Sequence, residues 1–342
     1  MHAVTSIDDV ARESGVSTAT VSRALRGLPH VSEPTRARIR QIADELGYVA
    51  SSSASGLASG RTLAMGLVTP TISRWFYSTV IEGVDAVLRE ANYDLILYNL
   101  GGRGGDRERV FHRSILRKRT DALIAVGMNF TADEREHMLS LGHPVLMIGG
   151  PVKGLRHIGL DERGVARTAT QHLISLGHRR IAHLSGVDDE GPKRRVSPER
   201  RLGFLDAMDA AGLPVNDEWL LTGRFSLITS RAVVGDLFAG PGPRPTAIFA
   251  SSDEMAIGAM LAAHDNGISI PRDISIIGID NHDLAASFGL TTMAQDPYEQ
   301  GSRGARILLA DLSERPLNSK PSFKAEAKLL LRASTGPAPV GG

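Results

Sequence analysis

Short apolar runs alternate with amphipathic helical stretches over most of this chain, and only the first fifty residues depart from that rhythm. There, three short helical patterns lie between Ser6 and Gly47. Ser6 followed three residues later by Asp9 predicts an N-cap with an acidic third position, and Ser14-Gly15 a glycine stop. Ser17 predicts the cap of a second helix over Thr18 to Leu25, buried through Val21, Ala24 and Leu25. Ser32, with Pro34 in the first turn, opens a third, whose apolar stripe is Ile39, Ile42, Ala43 and Leu46. About three residues join the first two helices, which is helix-turn-helix spacing.

From Arg61 onward the pattern predicts strands at Ala64 to Thr69, Tyr93 to Tyr98, Ala122 to Val126 and Val145 to Ile148, with helices near Phe76 to Glu90, Asp106 to Arg117 and Ala132 to Leu141. A second set follows: strands at Arg180 to Leu184, Trp219 to Gly223, Ala247 to Ala250 and Ile274 to Ile279. Its helices lie near Gly164 to Leu176, Pro198 to Ala211, Thr229 to Phe238 and Glu254 to Asn266. Alternation of this kind builds parallel sheets, so the predicted class is an N-terminal all-α helix-turn-helix module plus an α/β core of two doubly wound subdomains. A ligand cleft is expected between their carboxyl strand ends.

Composition narrows the function. A length of 342 residues suits two or three domains, and 42% hydrophobic with 23% charged residues is globular usage. No apolar run reaches the roughly 18 residues of a membrane span, and Met1 to Val10 has no export pattern, so a cytoplasmic protein with no membrane partner is expected. Zero cysteines exclude disulfides and thiolate metal sites. The formal charge of +1 gives no global signal for nucleic acid.

A local signal exists. Ser17, Thr18, Thr20, Ser22 and Arg23 put short hydroxyls and one guanidinium on the exposed face of the second helix, a set that reaches phosphates and base edges without bulk. Arg12, Arg23, Arg26, Arg36, Arg38 and Arg40 are nevertheless balanced by Asp8, Asp9, Glu13, Glu33, Asp44 and Glu45. A neutral module binds DNA weakly alone, so two modules are expected on one site.

Ile7-Asp8-Asp9-Val10-Ala11, Gly15-Val16-Ser17, Thr20-Val21-Ser22-Arg23-Ala24-Leu25, Val31-Ser32 and Leu46-Gly47-Tyr48 together resemble the LacI/GalR family of transcription regulators. The resemblance implies that Thr18 and Ala19 vary with operator sequence, that Ser17, Thr20, Ser22 and Arg23 support docking, and that His30 is a further contact. It also implies a hinge helix ending in a minor-groove wedge, for which Leu57 is the candidate. Here the hinge runs through four serines and a glycine before Leu57, poor helix formers that predict disorder without DNA. The alternative is a plain flexible linker.

The core carries the resemblance through Gly177-His178-Arg179-Arg180-Ile181-Ala182, Arg200-Arg201-Leu202-Gly203-Phe204, Asp253-Glu254-Met255-Ala256-Ile257-Gly258-Ala259 and Gly278-Ile279-Asp280. It implies a periplasmic-binding-protein-like fold closing on a small effector. By position, Arg200 would grip a polar group, Asp280 accept hydroxyl hydrogen bonds, Phe225 supply a stacking platform, and Phe76 and Tyr77 line the facing wall. Asp161, Ser252 and Gln295 carry over more weakly. Arg and Asp suit vicinal hydroxyls and an aromatic face suits sugar C–H groups, so a sugar or sugar derivative is expected. Each residue has a plainer reading as core, cap or surface ion pair. Gly149 and Ser252 replace usual hydroxyl partners, and the loop with Lys193, Arg194 and Arg195 admits a phosphorylated sugar or sugar acid; a purine is a further alternative.

The expected domains are 1–50 (helix-turn-helix), 51–61 (hinge), 62–332 (core) and a disordered tail at 333–342. The core divides into 62–158 with 293–322 and 159–290 with 323–332. A homodimer on a near-palindromic operator is expected, with repression as the family default. Enzyme readings are weaker. Leu100 to Gly105 is glycine-rich but lacks the third glycine of a dinucleotide fingerprint, no nucleophile elbow or phosphate-loop lysine appears, and eleven histidines, His178 and His183 among them, show no metal spacing. No cofactor or metal is expected. An α/β enzyme or a free-standing sugar-binding protein are the alternatives of a different class.

Overall fold

The computed structural model describes residues 5–25, 27–48, 61–101, 107–112, 116, 119–186, 196–313 and 322–339. The chain divides into two compact units, residues 1–64 with 119–121 and residues 65–118 with 122–342.

The first unit holds α1 (Ile7–Ser14), α2 (Thr18–Leu25) and α3 (Glu33–Glu45) around a core of Val10, Val21, Ala24 and Ile39. Ser6 and Asp9 form the expected reciprocal cap, and Gly15 takes the left-handed φ of +67° that ends α1. Ser17 Oγ accepts the Thr20 N–H at 3.2 Å, starting α2. Ser32 stands at the α3 N-cap without bonding the backbone; its hydroxyl pairs with Thr35 Oγ1 at 2.8 Å.

The second unit contains two six-stranded sheets. The first comprises β1 (Ala64–Thr69), β2 (Asp94–Asn99), β3 (Ala122–Val126), β4 (Val145–Ile148), β5 (Arg156–Gly159) and β11 (Ser322–Lys324), in the order β11-β5-β4-β3-β1-β2. Against it lie α4 (Trp75–Glu90), α5 (Arg107–His112), α6 (Ala132–Leu139) and α11 (Pro297–Leu312). The second comprises β6 (Ile181–Ser185), β7 (Leu220–Thr222), β8 (Ala247–Ala250), β9 (Ser275–Asp280), β10 (Thr291–Ala294) and β12 (Lys328–Leu330), in the order β12-β10-β9-β8-β6-β7. Its helices are α7 (Glu162–Ser175), α8 (Val196–Ala210), α9 (Leu227–Ala239) and α10 (Asp253–Asp265). Strand order reverses between β1 and β3 and between β6 and β8, where doubly wound sheets open a ligand crevice. No helix of the described residues is long and apolar enough to cross a membrane.

Several expectations shift. β2 pairs at the sheet edge and exposes Leu97, so it is not the fully buried strand its apolar run suggested. β10 and α11 were not anticipated, and β12 runs antiparallel to β10. The chain crosses between sheets after β5, after β10 and between β11 and β12. Residues 291–294 therefore belong to the second subdomain and Ser322–Lys324 to the first, a few residues from the expected boundaries. Helices α4 and α11 meet along a glycine seam: a Cβ on Gly301 would lie 2.2 Å from the Val80 carbonyl oxygen. Two glycines weaken α11 as a helix sequence, yet Gly301 permits this backbone approach and Gly304 lets the helix settle on Leu146 and Ile148 of β4.

The tail is the main correction. Residues 333–339, expected to be disordered, run along the second sheet. Ser334 is buried, its Oγ donating to the Ile276 carbonyl at 2.6 Å and accepting the Thr291 N–H at 2.8 Å. The Gly336 carbonyl accepts from Ser275 Oγ and the Ala338 N–H donates to the Leu176 carbonyl. Gly-, Pro- and Ala-rich composition concealed this, because the pairing is made by backbone and the hydroxyls of Ser334 and Thr335. Ser334→Ala leaves the Thr291 N–H unpaired in the interior and should cost about 1–3 kcal/mol. Urea unfolding checks it; a loss below about 0.5 kcal/mol would show that the tail is not held there.

Candidate functional site

The carboxyl ends of the strands in both sheets converge on one cavity. It offers about 80 Å3 to the centre of a water molecule, against roughly 10–15 Å3 for a single water, so a small molecule fits. Seven of the eight expected ligand residues line it: Phe76, Tyr77, Arg200, Phe225, Ser252, Asp280 and Gln295. Asp161 does not. It is exposed, caps α7 by accepting the Gly164 N–H at 3.0 Å, and lies 3.4 Å from Lys324 Nζ; its neighbour Glu162 lines the cavity instead.

Arg200, on α8, is buried. Its Nε donates to Glu162 Oε2 at 2.6 Å and its Nη1 to the Ser251 carbonyl, so α7 and the end of β8 aim the guanidinium. Asp280 ends β9 with a φ of +130°, followed by Asn281 at +63°, a positive-φ turn at the carboxyl end of the strand. The buried Asp253 carboxylate supports this turn, accepting the His282 N–H at 2.9 Å and the Thr292 hydroxyl at 2.7 Å. Asp280 Oδ1 accepts Gln295 Nε2 at 2.6 Å, and Gln295 Oε1 accepts Gln300 Nε2 at 2.9 Å. Ser252 caps α10 through the Met255 N–H.

Phe225 is set by backbone geometry. Arg224 and Phe225 both hold positive φ, +54° and +50°, an uncommon state for residues with a side chain. The ring lies so close to Gly186 that a Cβ there would sit 2.2 Å from it. Arg74, at the N-cap of α4, donates Nη1 to the carbonyls of Arg224 (3.0 Å) and Phe225 (2.8 Å), and its guanidinium carbon lies 5.8 Å from the Phe225 ring centre. Trp75 beside it lies against His282, with ring centres 5.1 Å apart and planes tilted by 39°. Both contacts join the first subdomain to the second. Arg74, Glu162, Glu254 and Gln300 line the cavity and were missed, because charged and amide positions on helices read as solvated faces; Gly127, Gly149 and Leu160 complete the lining.

Electrostatics follow from burial. It pushes the Asp280 carboxyl up to about 8, with Arg200 pulling down and Asp253 pushing up. Burial also raises Asp253, to about 6, against the pull of its Thr292 and backbone hydrogen bonds, and it raises Glu254 against Arg74.

In the first unit, Ala19 is exposed on α2 with Thr18, Thr20, Ser22 and Arg23 half-buried beside it, and His30 is exposed at a φ of +70°. The arginines are partly occupied. Arg23 donates to the Pro29 carbonyl at 3.0 Å, Arg36 to the Leu28 carbonyl at 3.1 Å, and Arg38 to the Ser14 carbonyl at 2.5 Å. These bonds satisfy carbonyls left over at helix ends and in the turn. Asp121 accepts the Thr62 and Leu63 N–H groups at 2.7 and 3.0 Å, anchoring the entry to β1. Leu57 and its hinge, Gly102 to Gly105 of the glycine-rich turn, and Lys193, Arg194 and Arg195 lie outside the described residues. Among the described residues no group of three or more His, Asp or Glu could hold a metal ion.

The Asp280 shift has a testable sign. Between its ordinary 3.8 and about 8, the folded protein keeps a proton that the unfolded chain has lost, so stability falls as pH rises through that window. The limiting slope is about 1.4 kcal/mol per unit. Asp253 contributes only up to about 6, and the histidines that burial lowers act alike in parent and variant, so above that the difference between the two belongs to Asp280. Denaturant unfolding of Asp280→Asn between pH 6.5 and 8 should therefore lose less stability with rising pH than the parent; parallel curves would contradict the buried protonated carboxyl.

The comparisons with known proteins agree with this architecture. A family model described as bacterial regulatory proteins of the lacI family matches residues 6–51, and one described as a periplasmic binding protein-like domain matches residues 170–335. The HTH-type transcriptional repressor PurR of Vibrio parahaemolyticus is 34% identical over 333 residues, covering 95% of this chain and 97% of the relative. A LacI-family transcriptional regulator from Silicibacter pomeroyi, solved by crystallography, is 27% identical with a TM-score of 0.82, covering 96% of this chain and 99% of that one. Another from Enterococcus faecium, solved with bound ribose, is 27% identical with a TM-score of 0.68, covering 80% of this chain and 99% of that one. The chain therefore belongs to the LacI family of bacterial regulatory proteins and is a DNA-binding transcriptional repressor controlled by a small-molecule effector.

Proposed function

We propose that the effector is a small neutral sugar, bound in the cavity between the Phe225 platform and the wall of Phe76 and Tyr77. Arg200 and Asp280 take its hydroxyls, with Ser252 and Gln295 beside them. The observation that carries this reading is that both guanidiniums of the described lining are engaged: Arg200 with Glu162 and Arg74 with the Arg224 and Phe225 carbonyls. Among the described residues, a phosphate or sugar acid entering there meets no uncommitted cation. Polar hydroxyls meet donors and acceptors they can satisfy. The ribose held by the Enterococcus faecium relative supports the same ligand class.

On the DNA side, two modules of a homodimer read a near-palindromic operator, with Thr18 and Ala19 setting base preference and Ser17, Thr20, Ser22, Arg23 and His30 seating the helix. Leu57 wedges the operator centre. Effector closure of the core then changes operator affinity; no chemical step is involved.

Thermal-shift titration tests the effector class, because a ligand of the folded state raises the melting temperature. Neutral monosaccharides and disaccharides should shift it, and their phosphates should not. The pH response separates a sugar from a purine. Hydroxyls donating to Asp280 favour its ionised form, so sugar affinity should rise with pH towards about 8. A base that takes the carboxyl proton as an acceptor should bind less well as pH passes that value, and that outcome would favour a purine. Arg200→Ala should abolish the effector's influence in an operator-binding assay while leaving binding without effector intact; a surviving response would remove Arg200 from the site.

A further inference from the structure

Gln300 has no role in the reading above, yet its surroundings ask for one. It lies in the first turn of α11, on the face that otherwise buries Gly301, Gly304, Ala305, Ile307 and Leu308, and it is only 5% exposed. An amide in such a place is unfavourable unless its polar atoms are met, and a leucine would fill the same space at no such cost. Gln300 Nε2 donates to Gln295 Oε1, and among the described residues that is its only side-chain hydrogen bond. Its Oε1 and second N–H are left over, and the residue lines the cavity.

The direction of the bonds matters. Gln300 donates to Gln295, which donates to Asp280 Oδ1, so both donors point towards the carboxylate and the chain ends with an acceptor oxygen on the α11 side. The chain starts in the first subdomain, passes through the crossover after β10 and ends in the second. We infer that Gln300 is an effector-contacting, specificity-determining residue, whose Oε1 accepts a hydrogen bond from a ligand hydroxyl on the edge facing α11. The inference rests on the cavity being the effector site and adds the edge of the ligand that the first subdomain reads. Asp280 and Gln300 then demand donors on two edges of one small ring, which favours a polyol over a ligand with a single polar edge.

Gln300→Leu tests this with two readouts in the full-length protein. The first needs no ligand. If Gln300 serves the effector, leucine's added apolar burial offsets the lost hydrogen bond to Gln295, and the variant melts within about 2 °C of the parent. A fall of about 5 °C or more, with the fold retained by circular dichroism, would make the amide a scaffold bond and overturn the inference. The second readout titrates D-ribose, D-glucose, cellobiose, ribose 5-phosphate and adenine against both proteins. A compound that binds the parent should bind Gln300→Leu about 10-fold or more weakly. Among its single-deoxy analogues, one should lose affinity for the parent and lose none for the variant. Equal affinities would overturn the role of Gln300 while leaving the effector site standing. If no sugar moves the parent, the sugar reading fails, and a melting loss of about 5 °C or more in the variant still overturns the inference independently.

Discussion

A guanidinium cannot be left unaccompanied in a protein interior, and the cleft of this repressor is arranged around one. Arg200 is met by Glu162 from α7 and by the Ser251 carbonyl at the end of β8, so three segments of the second subdomain are fixed relative to each other by a single side chain. Its charge also makes a second buried acid tolerable nearby. Asp280 sits beside it on a left-handed turn that Asp253 holds from below through the His282 N–H. Burial of charge is costly unless each member is paired, so removing one group from this set leaves another exposed to that cost. Arg200, Glu162 and Asp280 line the cavity, so a ligand bound there in the proposed way would meet their remaining donors and acceptors.

The facing wall obeys a different constraint. The first subdomain contributes aromatic surface, with Phe76 and Tyr77 on α4 meeting edge to face at 5.5 Å, and few charges. What ties it to the second is held at the cleft itself: Arg74 on the Arg224 and Phe225 carbonyls, Trp75 on His282, and the amide chain from Gln300 to Asp280. These contacts are polar or small, unlike the apolar packing within each subdomain. Contacts of this kind are separable at modest cost, whereas the α4–α11 seam, with Gly301 against the Val80 carbonyl, allows little adjustment within the first subdomain. The geometry favours motion of rigid halves about three crossovers over deformation inside either half.

Legibility in the sequence followed burial. Strands covered on both faces, such as Ala122–Val126 and Ala247–Ala250, announce themselves as apolar runs, and their observed bounds coincide with the expected ones. Edge strand β2 carries the same kind of run because Leu95 and Ile96 pack into the cores on opposite faces of the sheet, and nothing in Leu95 to Leu97 announces that Leu97 is exposed at the edge. α11 was hidden by glycines that serve packing. In the cleft, the residues foreseen were those whose positions the family resemblance marks, whereas Glu162, Glu254 and Gln300 share the polarity of any exposed helical residue. The exchange of Asp161 for Glu162 is the smallest such error. Two adjacent acids begin α7; one is consumed by the cap and the other by Arg200, and only the backbone conformation separates them.

The DNA-reading module shows why its charge count understates the demand for a partner. Its arginines balance its acids in number, but Arg23, Arg36 and Arg38 each give hydrogen bonds to carbonyls of the module itself. A guanidinium used in this way keeps its charge yet has fewer donors and less freedom to follow a phosphate. Phosphate contacts supply most of the salt-dependent affinity of a DNA-binding protein, so a module that turns three of its arginines to its own carbonyls relies more heavily on what lies outside it. Small residues on α2 can read base edges, but specificity without affinity does not occupy a site. A second copy of the module on the same DNA, and an apolar wedge whose insertion depends on both copies, would provide affinity that vanishes when the pair is disrupted. Weak single modules thus make a repressor easy to release, and this is the property that effector control requires.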